Sequence, residues 1–306
     1  MVLVTMKQIL KKANKQNYAV GAFNINNLET LQAVVNASER MKSPVIISCS
    51  EGAIEYAGMA YLISMVHTAA HLSKIPIALH LDHGKDMDII RECIRKGFTS
   101  VMIDASHYDF EKNVELTRKV VKMARKEDVT VEAEIGTLSG VEDNVSEKKS
   151  IYTDPDEAFR FMKLTKVDAL AIAIGTSHGA YKFKGESKLE FSILKTIKAK
   201  LKMPLVLHGA SSVYPELVEL VRKNGGEMDD AKGVNDALLK KACALGINKV
   251  NTDTDLRLAF TGSVRQTLLA NKREFDPRKV LGPAKAEMEK LVERKIRVFG
   301  SAGKAR

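Results

Sequence analysis

The sequence predicts an α/β protein built as one (β/α)8 barrel, a single domain over residues 1–306. Three observations carry that expectation: eight short apolar, β-branched runs recur, helical patterns fall between them, and no linker or shift in composition divides the chain. In order, the runs are "YAVGAFN", "SPVIISCS", "IPIALHLDH", "TSVMIDAS", "VTVEAEIG", "ALAIAIG", "MPLVLHGA" and "INKVNTDTD". Near-continuous apolar runs suit parallel strands covered on both faces. Their number favours a closed barrel over a doubly wound sheet with a second domain.

The segments between the runs read as helices for local reasons. In "DMDIIRECIRKG", Ile89, Ile90, Cys93 and Ile94 form one apolar stripe, with Asp86 and Asp88 at its start and Lys96 and Gly97 as its stop. "TDPDEAFRFMKL" places acids and Pro155 ahead of its apolar positions, which marks a helix start. Two polar loops are long. "LSGVEDNVSEKKSIY" follows the fifth strand, where barrels carry lids, and "NGGEMDDAKG" precedes the last helix and strand.

Composition narrows the class of partner. The chain is 45% apolar with a net charge of +10, but its basic residues are spread through helical segments beside acids and without interleaved aromatics. That distribution describes solvated faces and not a nucleic-acid stripe. No apolar run approaches the roughly 18–20 residues that span a bilayer. The expectation is a soluble, unprocessed cytoplasmic chain, and the three scattered cysteines, Cys49, Cys93 and Cys243, suit a reducing compartment.

Working residues of such barrels come from the C-terminal ends of strands. Asp82 and His83 end the third run in "LHLDHG", Asp104 the fourth, Glu134 lies near the end of the fifth, His178 follows the sixth in "GTSHG", and His208 ends the seventh in "LHGAS". Asn251, Asp253 and Asp255 close the eighth in "NTDTD". Polar groups on apolar strands are costly to bury, so their gathering at one rim points to chemistry. His83, His178 and His208, each followed by a glycine, can offer imidazole nitrogens to one divalent cation and leave positions open, as catalytic zinc requires. His80, two residues deeper, reads as structural, and His107 is a weaker candidate. His67 and His71 in "HTAAH" read as helix surface, because Thr68 stands where a zinc protease needs its glutamate. Asp104 and Glu134 would orient the histidines or form a second metal position. Asp82 is placed to exchange a proton with a hydroxyl held near the cation. The turns "GTSHGAYKFKG" and "HGASS" can present backbone N–H groups to a phosphate.

With these residues in view, the chain resembles the class II, metal-dependent fructose-bisphosphate aldolases, from "GAFNINN" through "SEGAIEYAG", "LHLDHG", "SVMIDASH", "VEAEIG", "GTSHGAYKFKGE" and "PLVLHGASS" to "GINKVNTDTDLR". The resemblance implies a cytoplasmic TIM barrel, a homodimer or homotetramer, that cleaves fructose 1,6-bisphosphate reversibly through a metal-stabilised enediolate. It implies a catalytic Zn2+ on His83, His178 and His208, a second divalent position at Asp104 and Glu134, and a monovalent cation. It assigns Asp82 as acid/base on the C4 hydroxyl and Glu142, in the "GVEDN" loop, to the proton at C3. It assigns Ser50, Gly179, Gly209, Ser211, Asn251, Thr252, Asp253 and Thr254 to the dihydroxyacetone phosphate end. Asp255 is assigned to sugar recognition, and Arg278 to the 6-phosphate of a neighbouring subunit's substrate. Many members carry a glycine pair after the third histidine, whereas Ala210 follows Gly209 here. That variant also occurs among relatives acting on tagatose 1,6-bisphosphate, which is the alternative substrate. A phosphate-ester hydrolase, a Schiff-base aldolase using Lys249 and a non-enzymatic phosphate binder are the competing readings from other classes.

Overall fold

The computed structural model describes residues 3–137, 140–142, 145–147, 151–180, 187–228 and 231–305, with the side chains of 141–142 and 145–147 outside that description. The first half runs α1 (Met6–Gln16), β1 (Val20–Asn24), α2 (Leu28–Arg40), β2 (Val45–Ser50), α3 (Glu51–Ala57), α4 (Met59–Leu72), β3 (Ile77–Gly84), α5 (Met87–Lys96), β4 (Ser100–Ile103), α6 (Phe110–Ala124) and β5 (Thr130–Ile135). The second half runs β6 (Gly140–Glu142), β7 (Val145–Glu147), α7 (Pro155–Thr165), β8 (Ala169–Ile172), α8 (Phe191–Leu201), β9 (Leu205–Leu207), α9 (Pro215–Lys223), α10 (Asp236–Ala244), β10 (Ile247–Thr252), α11 (Thr254–Ala270) and α12 (Pro277–Phe299).

Eight of these strands close into a barrel in the order β1-β10-β9-β8-β5-β4-β3-β2, each the product of one of the eight apolar runs. Every pairing around it is parallel. The anticipated helices form where their caps stand. Asp86 accepts hydrogen bonds from Asp88 N and Ile89 N at the start of α5, and Gly97, at φ 109°, ends it. Asp154 does the same for α7, with Pro155 in the first turn.

The polar stretch after β5 departs from the expected open loop, because β6 and β7 pair there as an antiparallel hairpin. A second departure concerns "NTDTD". The strand stops at Thr252, and Thr254 and Asp255 open α11 because the Asp253 carbonyl accepts from Leu256 N and Arg257 N.

Residues of each strand alternate between two environments. Val45, Ile47 and Cys49 of β2, or Leu79 and Leu81 of β3, face the helical shell. Inside the barrel Val20, Ala22, Ile46, Ala78, Ala169, Ala171 and Val206 form one apolar cluster with Met6, Ile9, Leu10 and Ala13 of α1, which plugs its N-terminal end. A threonine–glutamine capping box starts that plug, with Thr5 and Gln8 bonded reciprocally. Fully buried beside that cluster are His80, Ser100, Glu132 and Lys249. The mouth lies at the C-terminal ends of the strands. No helix among the described residues is long and apolar enough to cross a membrane.

Candidate active site

The mouth holds a pocket whose lining includes Asn24, Asp82, His83, His178, His208 and Asn251. Alternation alone brings in most of these groups, since Ala78, His80 and Asp82 share the inward face of β3, as Lys249, Asn251 and Asp253 do along β10 and beyond its end. His83 is different. It follows Asp82 directly, so a regular strand would turn it outward. Instead its backbone is left-handed, with φ 49°, and the pairing of β3 with β4 shifts register between Leu81 and Gly84. The chain twists there and delivers the imidazole to the pocket. Gly84 makes this possible, because a Cβ on it would meet the Met102 carbonyl oxygen at 2.6 Å.

Asp82 is held from both sides by amides: Asn24 donates to Oδ2 at 2.9 Å and Asn251 to Oδ1 at 2.8 Å. Burial would raise its pKa, but the charges of His83 and Lys249 and the Asn24 hydrogen bond bring it down to about 2. The aspartate is therefore an oriented, ionised base. Asp104 accepts from His83 Nδ1 at 2.9 Å and from the Ser106 hydroxyl at 2.8 Å. Burial opposes its ionisation, yet the His83 hydrogen bond and charge hold it below the usual carboxylate range.

His208 is fixed from beneath. Its Nε2 donates to Glu132 Oε1 at 2.8 Å, and the same oxygen accepts from Lys249 Nζ at 3.0 Å. Lys249 also reaches His80 Nε2 at 3.2 Å, and His80 Nδ1 meets the Ser100 hydroxyl at 2.8 Å. With its proton on Nε2, His208 turns the Nδ1 lone pair towards the pocket, 2.9 Å from His83 Nε2. Burial, followed by the charges of His83 and Lys249, keeps His208 neutral by lowering its pKa well below the ordinary value. His83 takes the opposite course. Burial would lower its pKa, but Asp82, Asp104 and Glu134 raise it to about 10.

Two imidazole nitrogens thus converge on one proton, where a cation would stand in its place. Ligand-capable atoms of Asp82, His83 and His208 lie within 4.8 Å of one another, and those of His83, Asp104 and Glu134 form a second such group. Glu134 is 2% exposed, its Oε2 lacks a hydrogen-bond partner, and burial together with the Asp104 charge raises its pKa to about 8. An unsatisfied buried carboxyl beside a histidine and a second carboxylate fits a divalent ion. The ring of His178 lies 5.0 Å from that of His83 and 6.4 Å from that of His208, so it borders the site although its nitrogens belong to neither group.

Of the anticipated substrate contacts, Ser50, Gly209, Ser211, Asn251 and Asp253 line the pocket. Gly179, Thr252, Thr254 and Asp255 do not. Thr252 falls on the outward side of β10, and Asp255 is fully buried with its carboxylate committed to Ser212 N, Val213 N and Lys295 Nζ. Arg278 stands at the start of α12 with its side chain 90% exposed, paired to Asp276. Glu142 ends β6, and its side chain lies outside the described residues. His107 is exposed beside Tyr108, and His67 and His71 lie on the outer face of α4. Sequence reasoning missed Asn24, Glu132 and the pairing of Lys249. The signal existed in part: "VEAEIG" puts Glu132 and Glu134 on one strand face by alternation.

The family described as "Fructose-bisphosphate aldolase class-II" matches residues 4–304. The chain is 52% identical to a fructose-bisphosphate aldolase of Thermus caldophilus, covering 99% of this chain and 100% of that one. It is 48% identical to the fructose-bisphosphate aldolase of Helicobacter pylori strain J99, again over 99% and 100%. Among solved structures, the YdjI aldolase of Escherichia coli K12 superposes with a TM-score of 0.81 at 32% identity, covering 99% of this chain and 100% of that one.

Proposed function

The chain belongs to the class II fructose-bisphosphate aldolase family, and from that premise we propose that its mouth cleaves fructose 1,6-bisphosphate reversibly to dihydroxyacetone phosphate and glyceraldehyde 3-phosphate. The observation that carries this reading is Asp82: an ionised carboxylate clamped by two asparagine amides beside the converging His83 and His208 nitrogens. A base so placed takes the proton from the C4 hydroxyl as the C3–C4 bond breaks. In the reverse direction it returns that proton to the aldehyde oxygen.

His83, His178 and His208 would hold the catalytic ion, zinc by the nature of the donors, with Asp104 and Glu134 as a second divalent position. That ion supplies Lewis-acid stabilisation of the negative charge left on the three-carbon fragment. Asp104 and Glu132 hold the two histidines in the tautomers that face the pocket. The turn from Gly209 to Ser211, with Asn251 and Asp253, would seat the dihydroxyacetone phosphate end. Glu142, at the end of β6, would serve the proton at C3. Lys249 is fully buried, bonded to Glu132 and His80, and absent from the pocket lining, which argues against a Schiff base.

The protein acts as one domain in the cytoplasm, as a homodimer or homotetramer in which the exposed Arg278 reaches a neighbour's substrate. Light scattering reports the assembly. The decisive assay compares cleavage of fructose and tagatose 1,6-bisphosphates before and after chelation and zinc return. Loss on chelation, recovery with zinc and preference for fructose are expected. A preference for tagatose overturns the substrate, and failure with both sugars overturns the reaction.

A further inference from the structure

The turn after β9 is held from an unexpected direction, the C-terminal helix α12. Lys295 is fully buried and its Nζ lies 2.8 Å from Asp255 Oδ2 and 2.7 Å from the Ser212 hydroxyl. Asp255, in the first turn of α11, accepts from Ser212 N at 2.8 Å and Val213 N at 2.6 Å. One carboxylate therefore ties down two successive backbone amides, and one ammonium neutralises that carboxylate away from water. The other face of the turn is packed against the chain before α10, where Val234 N donates to the Ser211 carbonyl.

The clamp has work to do, because Val213 has φ 49°. A β-branched residue in the left-handed region is strained and persists only where its surroundings over-determine it. Asp255 provides that constraint, and Gly209 and Ser211 of the same turn line the pocket. We propose that Lys295 is a positioning residue for the anion seat. By balancing Asp255 it keeps the strained 209–213 turn in the form that offers its groups to a substrate phosphate, so the last long helix of the chain sets affinity at the mouth. This rests on the phosphate role given above to the 209–211 turn.

The test uses zinc-loaded full-length protein and inorganic phosphate as the probe, read by calorimetry and by competition with cleavage. Lys295→Met is expected to weaken phosphate binding about tenfold or more, since a buried carboxylate loses its counter-charge. KM should rise more than kcat falls, with zinc content unchanged. Val213→Gly supplies the second arm, because glycine accepts this backbone without strain. In that background the loss caused by Lys295→Met should shrink. A merely structural lysine would lower thermal stability and leave the phosphate affinity of the folded protein untouched, and wild-type affinity in folded Lys295→Met overturns the proposal. Should that variant fail to fold, Asp255→Asn removes the charge that Lys295 balances, and undiminished phosphate affinity in that folded variant overturns it equally. Absence of phosphate binding by the wild type instead rejects the phosphate seat itself.

Discussion

The two ends of this barrel are built from the same strands and filled in opposite ways. At the N-terminal end, small and branched apolar residues such as Val20 and Ala78 cluster with Leu10 and Ile9 of α1. At the other end the same alternation delivers Asp82, Glu134, His208 and Asn251. The lower end is what a stable core requires, each buried leucine or isoleucine contributing about 1.5–3 kcal/mol. The upper end carries groups whose burial opposes folding, and the ion pair of Glu132 and Lys249 between them is a poor stability device. Such a pair is retained for what it orients. The difference separates residues that hold the barrel closed from residues that the closed barrel holds in place.

Changes at either end should keep the two roles apart. Asp82→Ala should give the largest effect, a fall in kcat of about a hundredfold to ten-thousandfold with bound zinc and thermal stability retained; a wild-type rate would remove Asp82 from the mechanism. Leu10→Ala, at the plug, should do the reverse and destabilise by about 2–5 kcal/mol while kcat per folded molecule stays near wild type. A collapse of kcat there would mean that the plug shapes the mouth. Deeper in the barrel, Glu132→Gln should weaken metal binding by about ten- to a hundredfold, measured by chelator competition, because a neutral amide is a weaker acceptor for His208 Nε2–H than the carboxylate that fixes its tautomer.

The mildest perturbation is pH. His83 binds its proton more tightly when folded, at about 10 against an ordinary 6.5, so between those values the folded state holds a proton the unfolded state has lost. Stability of the chelated protein should therefore fall as pH rises through that window, by up to about 1.4 kcal/mol per unit. Glu134, raised to about 8 from 4.5, acts in the same direction at lower pH. Zinc displaces the shared proton, so the loaded protein should show a flatter profile in thermal melts, and matching profiles would place the cation elsewhere.

Much of this was legible beforehand because it is local. Apolar runs of strand length, the Asp86 and Asp154 caps, and the inward spacing of His80 and Asp82 are properties of a few consecutive residues, and each forms as its pattern requires. The polar loop after β5 hid a hairpin, since its pairing depends on contacts that short-range periodicity does not encode.

The sequence by itself determined the eight strands, their order along the chain and the gathering of acids and histidines at their C-terminal ends, because side-chain alternation and helix capping act over neighbouring residues. Only the tertiary structure decided that His83 turns inward through a left-handed residue and a register shift. It alone joined Glu132 to Lys249 across 117 residues of chain and took Asp255 out of the pocket to meet Lys295. The physical reason is closure: these groups become neighbours when the barrel ring completes, and burial then obliges each charge to find its partner.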